Sequence, residues 1–414
     1  MNMHDNSSLD PSNDAAWADC KSHWDLRPDT IYLNHGSFGP PPRCVQQERD
    51  RWQRAMERQP MDFFVRQFEP AWLAARQRLA EFIGAAPGNL IFVENATVGM
   101  NIVADSFPLA ANDEVLLTNH EYGAVERIWK RACAKADATL KTATLPLPFR
   151  TAEETTAAIF AAATARTKLL VVSHITSPTA VTLPVKQICA EARRRGIAIA
   201  IDGPHAIAQL PLEIDALDCD FYAASCHKWL SAPFGSGFLY VGPRQHSHVR
   251  PPVLSWGRLP PHAIESWSDE FLWSGTRNPA AFLAIPAAID FLDKIGLDRA
   301  RARMHWLAQT AREKLVALTS RTPLVPEDSA WYASMAHVPL PPPTRASETS
   351  VATQRSDAVS NPLQRLLWQQ FGIEVPVVSF GGERFIRVSC HLYNDLSQID
   401  RLVAALKSLL LAGE

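Results

Sequence analysis

Short apolar runs rich in β-forming residues alternate with segments of helical periodicity from about residue 70 to residue 245. This alternation is typical of an α/β fold, a mostly parallel sheet with helices on both faces. The predicted strands cover residues 90–93, 114–118, 139–144, 168–174, 198–202, 221–225 and 237–241. The predicted helices between them cover residues 72–83, 98–106, 125–136, 152–165 and 185–195. Ligands of such sheets bind beyond the carboxyl ends of the strands, so the residues at those ends are the first candidates for a site.

The length of the chain predicts more than one domain. A chain of 414 residues, 47% of them hydrophobic, exceeds one ordinary core. We predict an N-terminal segment, residues 1–44, that packs near the active site, a large domain, residues 45–278, and a smaller C-terminal α+β domain, residues 279–414. Further helices are predicted at residues 280–295, 299–318 and 396–411. Residues 339–362 are rich in Pro, Ser and Thr and are predicted to be a flexible insertion.

Charge, cysteine spacing and the N-terminus narrow the class of protein. With 41 basic and 43 acidic residues the net charge is -2, which gives no electrostatic case for nucleic acid or an anionic membrane. Seven cysteines are scattered without the spacing of a zinc site or a disulfide scaffold. The N-terminus lacks the pattern of a secretory signal, and no apolar run has membrane-spanning length. We therefore expect a cytoplasmic protein without a metal site, a membrane segment or a nucleic-acid partner.

Two residues near the ends of predicted strands indicate a cofactor. Asp202 ends the apolar run 197–201, and Lys228 follows the strand that ends at Ser225. A lysine amine forms a Schiff base with the aldehyde of pyridoxal phosphate, and a carboxylate keeps the pyridine nitrogen protonated so that the ring accepts electrons. An isolated lysine is ordinarily a solvated surface residue. In this order, and inside an alternating strand and helix pattern, the two residues predict a pyridoxal phosphate site.

Three short polar segments are candidates for binding the phosphate of that cofactor. Asn95, Ala96 and Thr97 follow a strand and open a helix, whose free N–H groups and dipole favour an anion. Ser225 and His227 stand on either side of the approach to Lys228. The segment 274–277, which includes Thr276, could donate to the phosphate of a neighbouring subunit. The plainer alternatives are a simple helix cap at each helix start, and a structural Ser and His.

Two further residues have the chemistry of ring and carboxylate recognition. Tyr122 follows a predicted strand and could lie on the face of the pyridine, although tyrosines at strand ends are common without a ligand. Arg387 alternates with apolar neighbours in the run 385–389. An inward guanidinium suits a substrate carboxylate, and a structural ion pair is the alternative.

The chain resembles the class V aminotransferase family of fold-type I pyridoxal phosphate enzymes, in its isopenicillin N epimerase-like branch. The resemblance extends over nearly the whole chain and is carried by motifs in one order. These motifs are residues 32–39 (YLNHGSFG), 95–97 (NAT), 173–177 (SHITS), 201–203 (IDG), 225–230 (SCHKWL), 235–237 (GSG), 275–276 (GT), 374–376 (EVP) and 387–389 (RVS). It implies a fold-type I enzyme with a smaller C-terminal α+β domain.

The resemblance also implies a role for individual residues toward the cofactor. Lys228 would be the Schiff-base lysine, Asp202 the partner of the pyridine nitrogen, His205 a hydrogen-bond donor to the ring oxygen, and Tyr122 the residue stacked on the ring. The residues implied for the phosphate are Ala96, Thr97, Ser225, His227 and, from the other subunit, Thr276.

For the substrate, the resemblance implies that Arg387 takes the carboxylate of an amino acid, with Asn34 and Ser177 close by. Members of the family are homodimers with sites at the interface, so a homodimer with shared active sites is expected. Two departures bear on the substrate. Ala180 stands where relatives often have glycine, and its methyl group is expected to narrow the space on the substrate side of the site. The segment 339–362 is longer than usual.

The resemblance implies chemistry at the α-carbon and leaves the reaction open. Once released from its aldimine, the amine of Lys228 would abstract the α-proton. Reprotonation on the opposite face gives epimerisation, reprotonation at the cofactor gives transamination, and loss of a β-substituent gives a lyase. Epimerase or aminotransferase is the leading interpretation, with Tyr122 or His205 as the second base of an epimerase. A C–S or other β-lyase is the alternative, and a non-catalytic ligand-binding relative is the alternative of another class.

A cysteine desulfurase is disfavoured by the positions of the cysteines. That reaction needs a thiolate on a mobile loop, and no cysteine lies between Cys226 and Cys390. Cys390 follows Arg387 on a predicted strand, which is a poor place for a mobile nucleophile.

Overall fold

The computed structural model describes residues 10–261, 263–342 and 361–413. The strands, in chain order, are β1 (Ile31–Tyr32), β2 (Leu90–Val93), β3 (Glu114–Thr118), β4 (Thr139–Ala143), β5 (Thr167–Ser173), β6 (Ala198–Asp202), β7 (Phe221–Ser225), β8 (Gly237–Val241), β9 (Met335–Pro339), β10 (Ile373–Glu374), β11 (Val377–Phe380) and β12 (Glu383–Ser389). The α-helices are α1 (Asp14–Trp17), α2 (Arg43–Arg58), α3 (Pro60–Asp62), α4 (Phe68–Phe82), α5 (Ala96–Ser106), α6 (Gly123–Ala136), α7 (Ala152–Ala161), α8 (Val185–Arg194), α9 (Ile214–Leu217), α10 (Ala280–Leu283), α11 (Ile285–Ile295), α12 (Leu297–Thr319), α13 (Pro362–Phe371) and α14 (Leu396–Leu411).

A mostly parallel sheet is the main feature of the described chain. It has seven strands in the order β2-β8-β7-β6-β5-β3-β4 among the described residues. The pairs from β4 to β7 are parallel, whereas β8 runs antiparallel to both β2 and β7. Strands β2, β3, β7 and β8 are buried at every residue, which is why they are read as continuous apolar runs. The predicted α/β fold with a mostly parallel sheet is confirmed.

Several predicted element ends were wrong, for local reasons. Helix α5 begins at Ala96, two residues earlier than predicted, because the side chain of Asn95 accepts the N–H of Val98 and caps the helix. Helix α7 ends at Ala161 instead of residue 165, because the backbone turns before β5, with the N–H of Thr167 donating to the carbonyl of Thr164 at 3.1 Å. The helix predicted at residues 280–295 is two helices, α10 and α11, since Pro286 has no N–H to donate to the preceding turn.

The chain divides into two compact units. The large unit, residues 40–177 and 183–294, contains the seven-stranded sheet. Its core joins side chains of the central strands, such as Val171 and Leu239, to Met100 of α5 and Trp129 of α6.

The small unit comprises the described residues among 1–39, 178–182 and 295–414. It contains the antiparallel sheet β11-β12-β9 and the parallel pair β1-β10. Its core joins Val338 and Ile386 of the sheet to Leu307 of α12 and Leu402 of α14. The predicted domain limits at residues 44 and 278 stay a prediction.

Residues 343–360, which make up most of the predicted insertion 339–362, lie outside the described residues. Pro339 and Pro362, the two ends of that predicted insertion, are the last residue of β9 and the first residue of α13. No helix in the ranges described above combines the length and the apolar character needed to cross a membrane.

Candidate active site

Four parallel strands of the large unit bring polar side chains to one edge of the sheet. Thr118, Ser173, Asp202 and Ser225 are the last residues of β3, β5, β6 and β7. Ser173 pairs in register with Asp202, and Asp202 pairs with Ala223. Residues paired in register across a sheet project from the same face, so Ser173 and Asp202 are neighbours on one face. This is the edge at which ligands of parallel sheets bind.

Lys228 lies beside His205, which follows the end of β6. Lys228 Nζ is 3.3 Å from His205 Nε2, and the indole Nε1 of Trp229 donates to His205 Nδ1 at 3.2 Å. Because Nδ1 accepts this bond, the imidazole carries its proton on Nε2. Nε2–H therefore donates to Lys228 Nζ, which requires the lone pair of a neutral amine. That is the form of lysine that acts as a nucleophile or a base.

Asp202 is a buried carboxyl group at the end of β6, with 4% of its surface exposed. Burial raises the pKa of Asp202 to about 6, and Lys228 opposes that rise when its amine is protonated. A cationic partner at this position would therefore be needed to keep the carboxylate fully ionised at neutral pH. The pyridinium nitrogen of pyridoxal phosphate is such a partner.

The start of α5 is joined to the end of β7 by a direct hydrogen bond. The N–H of Ala96 donates to the hydroxyl of Ser225 at 2.9 Å. Two glycines allow this close approach, because a Cβ on Gly99 would lie 3.0 Å from the Cβ of Ala223, and a Cβ on Gly237 would lie 2.5 Å from the carbonyl of Ala224. Thr97, in the first turn of α5, is exposed. The helix N-terminus and a hydroxyl thus lie together, as phosphate binding requires.

His227 contributes a buried polar atom to the residues around Lys228. Its Nδ1 has no hydrogen-bond partner among the described residues, although it is shielded from solvent. Burial lowers the pKa of His227 to about 4, and Lys228 adds to this effect when its amine is protonated. A buried nitrogen of this kind needs an external partner, and a phosphate oxygen would provide one.

Tyr122 and Thr276 are placed at the surface of the large unit. Tyr122 is the residue before α6 and is 48% exposed. Thr276 is also exposed, next to Gly275, whose φ of +106° favours glycine. The neighbouring Arg277 is bound to Glu94 at 3.2 Å and lies over the ring of Trp72.

The small unit brings together two of the three predicted substrate-binding residues. Arg387, on β12, is 5% exposed and donates from Nη2 to the hydroxyl of Ser37 at 3.0 Å. Asn34 forms an isolated parallel β-bridge with Ser389, which also lies on β12. The Nδ2 of Asn34 donates to Glu374 at 3.4 Å. Its buried Oδ1 has no hydrogen-bond partner among the described residues.

Burial lowers the pKa of Arg387 to about 10, so the guanidinium stays charged at neutral pH and suits an anionic ligand. Ser177, the third predicted substrate-binding residue, belongs to the large unit, in the segment after β5.

Ala180 has a left-handed backbone, with φ of +57°. This explains why glycine suits the position, since an L-residue is disfavoured there. In the small unit Ala180 lines a cavity of about 10 Å³ with Thr179, Arg312 and Tyr332, which is room for about one water molecule. The predicted narrowing of the substrate side stays a prediction.

Sequence reasoning missed two polar side chains that contact predicted site residues, and one that lies close to Asp202. Trp229 orients His205, Ser37 binds Arg387, and Glu121 accepts hydrogen bonds from Thr118 and Ser173. The sequence signal for Glu121 was its position three residues after a strand end, directly before Tyr122.

The residues of the large unit fit pyridoxal phosphate. Asp202 provides a buried carboxyl group for the pyridine nitrogen, and Lys228 provides a neutral amine for the aldehyde. His227 provides a buried nitrogen that needs a hydrogen-bond partner from outside the protein. A mostly parallel sheet with this acid and this lysine at its carboxyl edge defines the class of fold-type I pyridoxal phosphate-dependent enzymes.

Comparison with known proteins supports that class. The family model described as "Aminotransferase class-V" matches residues 41–402. Isopenicillin N epimerase of Amycolatopsis lactamdurans is 38% identical over 409 residues, which cover 95% of this chain and 98% of the epimerase. A putative L-cysteine desulfhydrase of Oryza sativa subsp. japonica is 28% identical, covering 92% of this chain and 83% of the relative.

A solved structure has the same fold. A mutant of the protein C-DES, with glycine covalently linked to its PLP cofactor, has a TM-score of 0.76 and 21% identity, covering 92% of this chain and 97% of the other. The chain belongs to the class V aminotransferase family. It is a pyridoxal phosphate-dependent enzyme, and both the predicted family and the predicted cofactor are confirmed.

Proposed function

We propose that the enzyme epimerises the α-carbon of an amino acid or an amino-acid-derived substrate. The observation that carries this proposal is the 38% identity to isopenicillin N epimerase over 95% of the chain. Aminotransferase activity is the nearest variant, because the two reactions share the removal of the α-proton. Isopenicillin N, which the relative's name gives, is the first substrate to test.

The cofactor would be held by residues of the large unit. Lys228 would bind its aldehyde carbon covalently, and Asp202 would pair with the pyridine nitrogen. With the cofactor bound, His205 would donate its Nε2 hydrogen to the ring oxygen instead of to Lys228. Tyr122 would stack on the ring. The phosphate would be bound by Ala96, Thr97, Ser225 and His227. When bound, pyridoxal phosphate supplies an electron sink for the carbanion at the α-carbon.

Lys228 is proposed as the base that removes the α-proton. Its Nζ accepts a hydrogen bond from His205 Nε2, so the amine has the lone pair that proton abstraction needs. Arg387 is proposed to take the substrate carboxylate, together with Asn34 and Ser177. The planar guanidinium of Arg387 and the hydroxyl of Ser37 supply donors suited to a carboxylate.

Epimerisation also needs an acid on the face opposite Lys228. Of the two candidates, His205 already contacts Lys228 Nζ, so it belongs on the same side as the lysine. Tyr122 makes no such contact among the described residues, and its side chain is 48% exposed. We therefore assign the second proton transfer to Tyr122.

A C–S or other β-lyase is the second candidate function. It is favoured by the similarity to a putative L-cysteine desulfhydrase. A persulfide mechanism of the desulfurase kind is disfavoured, because Cys390 is fully buried and burial raises the pKa of its thiol to about 12.

A homodimer with shared active sites is part of the proposal. Several large apolar side chains of the large unit are exposed, among them Leu254 at 77% and Trp256 at 61%, and a second copy would cover them. Thr276 is exposed, and in the proposed dimer it would donate to the partner's phosphate. Sedimentation velocity on the wild type and on Trp256→Ala tests this, since a monomeric wild type contradicts it.

The reaction is tested by incubating the loaded enzyme with isopenicillin N, cystine and pooled L-amino acids in deuterated water. We expect α-deuterium with inverted configuration in one substrate, measured by chiral mass spectrometry. Keto acid without inversion would establish transamination, and sulfide with pyruvate would establish the lyase. Absence of label from every substrate contradicts the proposal. Lys228→Ala should abolish the labelling, whereas Lys186→Ala, at an exposed lysine of α8, should leave it unchanged.

A further inference from the structure

Glu121 is an acidic residue at the carboxyl edge of the sheet that has no role in the mechanism above. Thr118, at the end of β3, donates its hydroxyl to Glu121 Oε1 at 2.7 Å. Ser173, at the end of β5, donates its hydroxyl to Glu121 Oε2 at 2.7 Å. Both carboxyl oxygens therefore accept a hydrogen bond, and the side chain joins two strand ends directly before Tyr122.

The charge of Asp202 also acts on the carboxyl group of Glu121. Ser173, which binds Glu121, pairs in register with Asp202. The pKa of Glu121 is raised to about 7, chiefly by burial. The hydroxyls of Ser173 and Thr118 act to lower this pKa, and the charge of Asp202 acts to raise it. Burial and the charge of Asp202 thus both disfavour the ionisation of Glu121.

The other ionisable groups around these acids are three histidines, Lys228 and Tyr222, and burial raises the pKa of Tyr222 well above its usual value, so it stays neutral. His120 and His174 follow Thr118 and Ser173 by two residues and one residue, and burial lowers the pKa of each to about 4. They are therefore neutral between pH 5.5 and 9. His205 and Lys228 are joined by the hydrogen bond described above. With the cofactor bound, the pyridinium would hold Asp202 ionised, so among the described residues of this cluster Glu121 is the acid whose charge changes near neutral pH.

We propose that Glu121 is a positioning residue of the cofactor site, whose charge controls how firmly Asp202 retains the proton on the pyridine nitrogen. With Glu121 neutral, Asp202 is the single anion near the ring nitrogen. With Glu121 ionised, a second negative charge raises the affinity of the ring nitrogen for its proton. The inference rests on the proposed pairing of Asp202 with the pyridine nitrogen.

The test follows the pyridine nitrogen itself. The protein is loaded with ¹⁵N-labelled pyridoxal phosphate, and the ¹⁵N chemical shift is measured by NMR from pH 5.5 to 9.5. We expect a step near neutral pH in the wild type, in the direction of a more firmly protonated nitrogen as pH rises. Glu121→Gln should lose the step and deprotonate the nitrogen at a lower pH. Glu126→Gln, at an exposed position of α6, should match the wild type.

Superimposable curves for the wild type and Glu121→Gln would overturn the inference. If Glu121→Gln does not fold, Ser173→Ala gives a second measurement. Loss of one donor destabilises the Glu121 anion, so the step should move to higher pH, and an unchanged step would overturn the inference. Asp202→Asn separates this inference from the proposed function. If Asp202→Asn leaves the ¹⁵N shift unchanged, the proposed pairing of Asp202 with the pyridine nitrogen is wrong. If Asp202→Asn changes the shift strongly and Glu121→Gln does not change it, only the role of Glu121 is wrong.

Discussion

At the scale of single residues, the position of one proton on His205 organises the chemistry around Lys228. Trp229 donates to Nδ1 of the imidazole, so Nε2 carries the hydrogen and faces Lys228. The indole of Trp229 therefore acts on the amine of Lys228 through His205. A histidine free to change tautomer could instead accept from an ammonium group, and the lysine would lose the lone pair that its chemistry requires.

Trp229→Phe tests this arrangement. The substitution removes the indole N–H, leaves His205 free to change tautomer, and should weaken pyridoxal phosphate binding by roughly fivefold, the effect of about 1 kcal/mol for one hydrogen bond. The dissociation constant is measured by quenching of protein fluorescence. Trp129→Phe is the matched control, because Trp129 is fully buried and its Nε1 has no hydrogen-bond partner among the described residues. Equal losses of affinity in both variants would contradict the role of Trp229.

At the scale of elements, the phosphate-binding region depends on how closely α5 approaches the sheet. Helix α5 lies against β7 and β8 because Gly99 and Gly237 present no side chain at the contact. The hydrogen bond from Ala96 to Ser225 is possible only at that distance. The glycines thus set the geometry of an anion site to which they contribute no side-chain donor.

Gly237→Ala should therefore damage both stability and cofactor binding. Its Cβ would lie 2.5 Å from the carbonyl of Ala224 and 3.1 Å from the Cα of Asn95, so β8 or the start of α5 must move. We expect a loss of about 1–3 kcal/mol in the free energy of unfolding, measured with urea, and a weaker affinity for pyridoxal phosphate. Gly88→Ala is the control, because a Cβ at Gly88 meets no atom within 4 Å. Similar losses of stability and affinity in both variants would show that the close contact at Gly237 is not their cause.

At the scale of the whole molecule, the buried acids make the stability of the apoprotein depend on pH. Burial raises the pKa of Asp202 to about 6 from 3.8. A raised folded-state pKa means that the folded protein binds the proton more tightly than the unfolded chain does. The stabilisation is complete below the unfolded pKa and is lost as pH rises through the folded pKa.

The apoprotein should lose stability relative to Asp202→Asn as pH rises from 4 to 7.5. From the pKa difference of Asp202 we expect a relative loss on the order of 2–3 kcal/mol, measured as the free energy of unfolding in urea. Asp105→Asn, at an exposed residue of α5, should give a nearly constant difference over the same range. Pyridoxal phosphate should reverse the trend, since its pyridinium favours the ionised acid. A difference that does not vary with pH would rule out the buried ionisation.

The main chemistry of this enzyme could be predicted from its sequence because it depends on local patterns. Apolar runs separated by helical segments specify a parallel sheet, and such sheets bind ligands at the carboxyl ends of the strands. Asp202 and Lys228 were recognisable because each follows such a run, and Asn95 because it precedes a helix. These signals need only neighbouring residues, so one chain without its structure contains them.

Only the tertiary structure decided which distant side chains meet. Glu121 meets Ser173 because β3 and β5 are neighbours in the sheet, and Ser37 meets Arg387 across 350 residues of sequence. Trp229 fixes the tautomer of His205 through a contact that no periodicity predicts. Sequence periodicity reports which face of an element is buried, whereas these pairings depend on strand order, register and side-chain packing, which arise only when the chain has folded.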